Sequence, residues 1–356
     1  MSEAAGDILF ERSGDLARVT LNRPKALNAL THEMCVAFDA QLKEWEHDPA
    51  VKALLIRGEG SRAFCAGGDI RKLYDEGRAG RDYPFRFYHD EYRLNARIHR
   101  FPKPYVALLD GIVMGGGVGV SVHGSHRIAT ENTLFAMPET GIGLFPDVGG
   151  SYFLPRCPGA VGRYLALTGA RLKAADAVYA GVAQFYVPAA RLADLQAALI
   201  AAPLADPAHD MVAAVIRRFV AFAGEPSLAQ HRALIDRVFV LPSVEAIVAA
   251  LAAEAGDFAA ETLAALGTKS PTSLKLAHRE VSEGATRDFD DCMRMEWRMA
   301  SRVIRGHDFY EGTRAVVIDK DQKPQWRPAS LAEVSAADVE AYFAPLPEGD
   351  LGYDWE

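Results

Sequence analysis

Two carboxylates, Glu139 and Asp147, stand eight residues apart in the stretch FAMPETGIGLFPDVGG. Glycines at 141, 143, 149 and 150 and prolines at 138 and 146 interrupt it, so no regular helix runs through it. Paired acids can share general acid and base work, or one can attack while the other orients a substrate. That chemistry requires the segment to fold back and aim both at one substrate. The plainer reading is that each caps local structure, and Asp147, just before VGGSYFL, occupies a plausible N-cap position.

Two glycine turns upstream offer a complement. In AFCAGGDI, Gly67 and Gly68 follow a strand signal and precede a helix, with Asp69 as candidate N-cap. Glycine there lets a ligand approach the backbone, and the N–H groups of Ala66 and Gly67 can point at a polarised oxygen. In GIVMGGGVG, Gly115, Gly116 and Gly117 stand at the mouth of a second helix, whose first-turn N–H groups lack intrahelical partners. The run is not a dinucleotide fingerprint, because the third glycine position counted from Gly115 is Val120. Two such turns can each give one donor to a single carbonyl oxygen, which is an oxyanion hole.

The elements that must position these groups alternate between strand and helix. ILFERSGDLARVTLNR reads as a hairpin about Ser13-Gly14-Asp15, and Pro24 opens a helix running through ALNALTHEMCVAFDAQLKEWEHD. VKALLIRGEG and KPYVALLDGIVM supply buried strands, a helix starts near Ile70, and FRFYHDEYRLNARIHRF reads as another. This is an α/β signature over the first 195 residues. Residues 190 to about 265 turn Ala- and Leu-rich, and 196–356 reads as mostly helical. Ser270 caps SPTSLKLAHREVSEG, and Met295, Met299 and Val303 form one buried stripe of a later helix. The expected division is therefore 1–195 and 196–356.

The 356 residues carry 39 Lys and Arg against 47 Asp and Glu, a net charge of -8 that argues against a nucleic-acid binder. Four scattered cysteines and no signal-like N-terminus fit a cytoplasmic protein, and no apolar run is long enough to span a membrane. His123 and His126 form an H-x-x-H with no third ligand nearby, and they read as packing residues rather than a metal site. Cys65 has no indicated base beside it and reads as a small packing residue.

AFCAGGDI, GIVMGGGVGVSVHG and FAMPETGIGLFPDVGGSYFLPR together resemble the crotonase (enoyl-CoA hydratase/isomerase) superfamily, nearest in pattern to its 3-hydroxyisobutyryl-CoA hydrolase branch. SPTSLKLAHRE and RGHDFYEGTRAVVIDKDQKPQWRP extend the resemblance over nearly the whole chain. It implies a spiral of ββα units followed by a C-terminal helical region, which packs on the core and can join a neighbouring subunit. It implies an acyl-CoA ligand whose coenzyme A is part of the substrate, with no separate cofactor. The backbone oxyanion hole maps onto Ala66 and Gly116. CoA contacts map onto Lys25, Ala26 and Leu27 and onto Ala66, Gly67, Gly68, Asp69 and Ile70. Glu139 and Asp147 map onto catalytic acids, and Glu91, Gly116, Glu139 and Asp147 onto substrate-binding residues. One departure matters: hydratases of the superfamily usually place a glutamate where this chain has Gly119.

Three activities remain open on the sequence: hydrolysis of a 3-hydroxyacyl-CoA in valine degradation, enoyl-CoA hydration or isomerisation through Glu139, and acyl-CoA binding without catalysis. Whether Glu139 is a nucleophile or a general base is open as well.

Overall fold

The computed structural model describes residues 6–204 and 207–356. Packing divides them into two compact units, each assembled from separated stretches of chain. One holds the residues up to Gly68 with Arg93–Phe135 and Arg171–Ser227. The other holds Asp69–Tyr92, Ala136–Ala170 and Leu228–Glu356.

In chain order the strands are β1 (Ile8–Ser13), β2 (Leu16–Leu21), β3 (Ala53–Gly58), β4 (Ala63–Cys65), β5 (Tyr105–Leu109), β6 (Ile112–Met114), β7 (His126–Ala129), β8 (Leu134–Ala136) and β9 (Phe185–Tyr186). Strand pairs alternate with helical pieces: His32–His47, Ile70–Arg78, Gly116–Gly119 and the 3-10 turn Glu139–Ile142 follow successive pairs. This is the repeated ββα order that the resemblance implies. The strands sort into a six-stranded sheet, β1-β2-β3-β5-β7-β9, and a three-stranded sheet, β4-β6-β8. The hairpin β1–β2 is antiparallel with Phe10 opposite Val19, while β2–β3, β3–β5, β5–β7 and β7–β9 are parallel.

Parallel strands are covered on both faces, so they read as unbroken apolar runs. Ala53, Leu54, Leu55 and Ile56 of β3 are all fully buried. One face of the large sheet, carrying Leu16, Leu55, Val106, Leu108 and Ile128, packs on Leu195, Leu199, Val212 and Ile216. Those four lie on the helices Leu192–Ala201 and Ala208–Arg217. These helices thus belong with the strands, and the compact units do not divide at the expected 195/196 boundary. The shift in composition there marks a change from strand to helix, not a change of core.

The helix expected to begin at Pro24 begins eight residues later. Pro24–Ala26 is a 3-10 turn, Leu27 and Asn28 have positive φ (53° and 57°), and Thr31 caps His32–His47. The side chain of Asn28 explains the delay. Its Oδ1 accepts from Arg23 N, and its Nδ2 donates to Glu59 O and Ala63 O, so it holds a turn against helix formation.

In the other unit, Pro271–Gly284 starts where expected, with Ser270 accepting from Ser273 N, and Phe289–Val303 is capped by Asp288, which accepts from Asp291 N. Both helices pack on the short helix Gly150–Phe153. The approach is backbone to backbone: a Cβ on Gly284 would lie 1.8 Å from Ser151 O. No described helix is long and apolar enough to cross a membrane.

Candidate functional site

The two glycine turns meet within the strand-bearing unit. The first leaves β4 at Cys65 and the second leaves β6 at Met114. A Cβ on Gly67, whose φ is +112°, would lie 3.6 Å from Gly116 N and 3.3 Å from Met114 O. A Cβ on Gly117 would lie 2.2 Å from Cys65 O. At Gly117 only bare backbone allows this contact, and at Gly67 the positive φ favours glycine. Gly115, at φ +48°, is the N-cap of Gly116–Gly119, so the Gly116 N–H is a first-turn donor without an intrahelical acceptor.

The Ala66 amide does not match its expected role. It donates to Leu27 O at 3.0 Å, which ties the Lys25–Leu27 turn to the first glycine turn. Gly68, two residues on, has an amide with no hydrogen-bond partner among the described residues. Which amide of AFCAGGDI stays free depends on a partner 39 residues upstream, and local spacing cannot report that. Lys25 and Ala26 are exposed, and Leu27, Ala66 and Gly68 are half-buried. Cys65 is buried with its thiol toward Gly67 O, 3.7 Å away, as a packing residue would be. His126 stacks on Phe185 and His209 and touches Ser125.

The acids gather in the other unit. Glu139 opens the 3-10 turn after Pro138, and Gly143 closes it at φ +73°. A Cβ on Gly143 would lie 2.1 Å from Asp308 O, so this turn too requires glycine. The chain then passes to Asp147 and through two left-handed residues, Val148 (φ +53°) and Gly149 (φ +84°), into Gly150–Phe153. A β-branched residue rarely adopts that region, and such strain collects where geometry serves function. Asp147 does not cap the helix that follows. Its Oδ2 accepts from Tyr92 Oη at 2.8 Å.

Glu91, Glu139, Asp147, Glu280 and Glu296 are all buried, none more than 4% exposed. Oε1 of Glu91, Oε2 of Glu139, both carboxyl oxygens of Glu280 and the Tyr88 hydroxyl lack a hydrogen-bond partner among the described residues. Burial raises Glu139 well above the usual carboxylate range, and the charge of Asp147 adds to the shift, partly offset by Lys269. Burial and Asp147 likewise raise Glu91. Asp147 is pushed up to about 7 by burial, against the opposing pull of the Tyr92 hydrogen bond. Glu296 is pushed to about 8 by burial despite its hydrogen bonds from Ser151 and Gly149. Burial raises Glu280 too, with Glu296, Asp147 and Glu139 contributing. A buried carboxyl poised near neutrality can take or give a proton at working pH.

Raised pKa values make stability depend on pH. An acid that binds protons more tightly in the native state than in the unfolded chain loses its stabilising contribution as pH rises. The window runs from the unfolded carboxylate range, about 4, up through the folded values of Asp147 and Glu296 near 7 and 8. The thermal midpoint of the free protein is therefore expected to be higher at pH 5 than at pH 8.5. A flat or rising profile in calorimetry would show that these carboxyls titrate like exposed ones.

Sequence reasoning missed Tyr88, Tyr92, Glu280 and Glu296. A signal for the two glutamates was present. Glu296 sits in the stripe of Cys292, Met299 and Val303, and Glu280 in that of Leu276, Ala277 and Gly284, all buried. An acid at the core position of an amphipathic helix is either paired or functional.

A family model described as enoyl-CoA hydratase/isomerase matches residues 16–343. The chain is 47% identical over 355 residues to the 3-hydroxyisobutyryl-CoA hydrolase, mitochondrial, of Gallus gallus, covering 98% of this chain and 92% of that one. It is 45% identical over 357 residues to the protein of the same name from Homo sapiens, covering 99% and 92%. Among solved structures, a carnitinyl-CoA dehydratase from Mycobacterium thermoresistibile superposes with a TM-score of 0.91 at 43% identity, covering 98% of this chain and 99% of that one. These relatives correct the expected cytoplasmic location, since both hydrolases are named as mitochondrial. Four free, buried cysteines report that no disulfide framework exists, and they carry no information on compartment.

Proposed function

The chain belongs to the enoyl-CoA hydratase/isomerase family, and from that premise we propose that it hydrolyses a 3-hydroxyacyl-CoA, converting 3-hydroxyisobutyryl-CoA to 3-hydroxyisobutyrate and coenzyme A within valine degradation. One observation carries the reading. The acid that hydratases place after the glycine triplet is Gly119 here, on a fully buried turn, while Glu139 and Asp147 lie in one buried cluster of acids.

In this reading the thioester oxygen takes hydrogen bonds from the amides of Gly116 and Gly68, the latter in place of the expected Ala66 amide. Each such donor contributes about 2.7–4 kcal/mol to the transition state. The CoA portion lies along Lys25, Ala26 and Leu27 and along residues 66–70. Asp147 receives the substrate's 3-hydroxyl or carries a proton, and Glu91 positions the acyl end. Glu139 has two routes. Its carboxylate can attack the thioester carbon, expelling the CoA thiolate, which is then protonated, and leaving a mixed anhydride that water opens. Or it can take a proton from water as that water attacks. A single turnover in oxygen-18 water tests the first route: label in the Glu139 carboxyl identifies an anhydride opened at the enzyme's carbon, while label confined to the product is left by the base route or by water attacking the acyl carbon.

A second reading, reversible dehydration of an acyl-CoA, draws on the activity named for the Mycobacterium thermoresistibile neighbour. The deciding assay incubates the protein with 3-hydroxyisobutyryl-CoA and follows free thiol. Stoichiometric thiol release is the expected result. No release, with a change in enoyl absorbance on a crotonyl-CoA substrate, would replace hydrolysis with the second reading.

A further inference from the structure

Behind the loop that carries Asp147 stands a carboxylate that the chemistry above does not use. Glu296 is fully buried on Phe289–Val303. Its Oε2 accepts from Gly149 N at 2.8 Å, and its Oε1 from Ser151 N at 3.0 Å and Ser151 Oγ at 2.5 Å. These donors flank the end of the left-handed pair Val148–Gly149. The one-turn helix Gly150–Phe153 has no side-chain cap of its own. A serine or aspartate at position 149 would be the local means of capping it. Instead an acid arrives from a helix 145 residues away in sequence. From the other side Gly284 meets Ser151 O so closely that no side chain fits between them. The turn is gripped on both sides, and its first residue is Asp147, whose own carbonyl accepts from Gly150 N at 2.8 Å.

Resting on the hydrolase reading, we propose that Glu296 is a positioning residue for the reaction: by receiving the Gly149 and Ser151 amide protons it holds the Val148–Gly149 turn in its left-handed form and so fixes where the Asp147 carboxyl points. Glu296 reaches the reaction only through Asp147.

The experiment compares Glu296→Gln in the full-length wild-type and Asp147→Asn backgrounds. Glutamine keeps the volume and one acceptor oxygen but turns a donor toward the Gly149 N–H. Expected is a loss of kcat of about 10–100-fold with KM within about twofold, because misaimed groups cost turnover rather than binding. In the Asp147→Asn background the further loss should stay under about twofold, since two residues acting through one carboxyl are not additive. Losses that multiply, or an unchanged kcat, overturn the proposal. Should Glu296→Gln fail to fold, Ser151→Ala removes one of the three donors and must show the same non-additivity.

Amide hydrogen exchange reads the clamp without turnover. The Gly149 and Ser151 amides should exchange at least about tenfold faster in Glu296→Gln, with protection elsewhere unchanged. Unchanged exchange at those two amides overturns the clamp whatever the kinetics. If the wild-type chain releases no thiol, the hydrolase reading falls, while the exchange result still decides the clamp.

Discussion

Replacing Glu139 by glutamine should lower kcat for 3-hydroxyisobutyryl-CoA hydrolysis by about 10²–10⁴-fold while leaving the fold intact. Glutamine has nearly the same shape, and Glu139 Oε2 has no hydrogen-bond partner to lose among the described residues. What disappears is the ionisable group, whether it attacks carbon or takes a proton. Glutamine cannot ionise beside Asp147, so the repulsion that helps raise the Glu139 pKa is gone, and the thermal midpoint should hold or rise slightly. Affinity for a non-hydrolysable acyl-CoA analogue should change little, because the main binding surface lies elsewhere in the proposal. A variant retaining more than a tenth of wild-type turnover would remove Glu139 from the chemistry.

Gly117→Ala should be the most damaging single methyl group in the cradle. Its Cβ would fall 2.2 Å from Cys65 O and 2.8 Å from Cys65 Cβ, and the first of these is backbone that cannot swing aside. The mouth of Gly116–Gly119 must therefore move off β4, carrying the Gly116 amide with it. Overpacking of this kind costs about 1–3 kcal/mol of stability. A donor displaced from its oxyanion costs about 10²–10³-fold in kcat. Gly267→Ala, where nothing lies within 4 Å of the new methyl, supplies the contrast and should keep full activity. Equal behaviour of the two variants in kcat and in melting temperature would remove the tight turn from the proposed mechanism.

The readable parts of this chain are those whose signal is local. The hairpin about Gly14, the buried runs of β3 and β5, and the helix start at Ser270 each rest on a few neighbouring residues. The glycine turns were legible as turns because their spacing only makes sense beside a bare backbone. Where long-range partners decide, the sequence was silent. Asn28 delays a helix through bonds to residues 59 and 63, and the Ala66 amide is taken by Leu27. Composition showed where helices replace strands but not which core they join, so Leu192–Ala201 and Ala208–Arg217 were separated from the sheet they cover. Glu280 and Glu296 are legible only as acids in apolar stripes, and what the Glu296 carboxyl meets is set by Gly149 and Ser151, far away in sequence.

Each compact unit is stitched from non-adjacent stretches, and this bears on how the protein is made. The loop with Glu139 and Asp147 is complete by residue 170, yet the helices that bury it, Pro271–Gly284 and Phe289–Val303, leave the ribosome later. At about 5–20 residues per second, roughly 130 residues of translation separate the two events, about 7–26 seconds. Through that interval the nascent acids stay hydrated and ordinary, and they acquire their unusual proton affinity only when the last third of the chain closes over them.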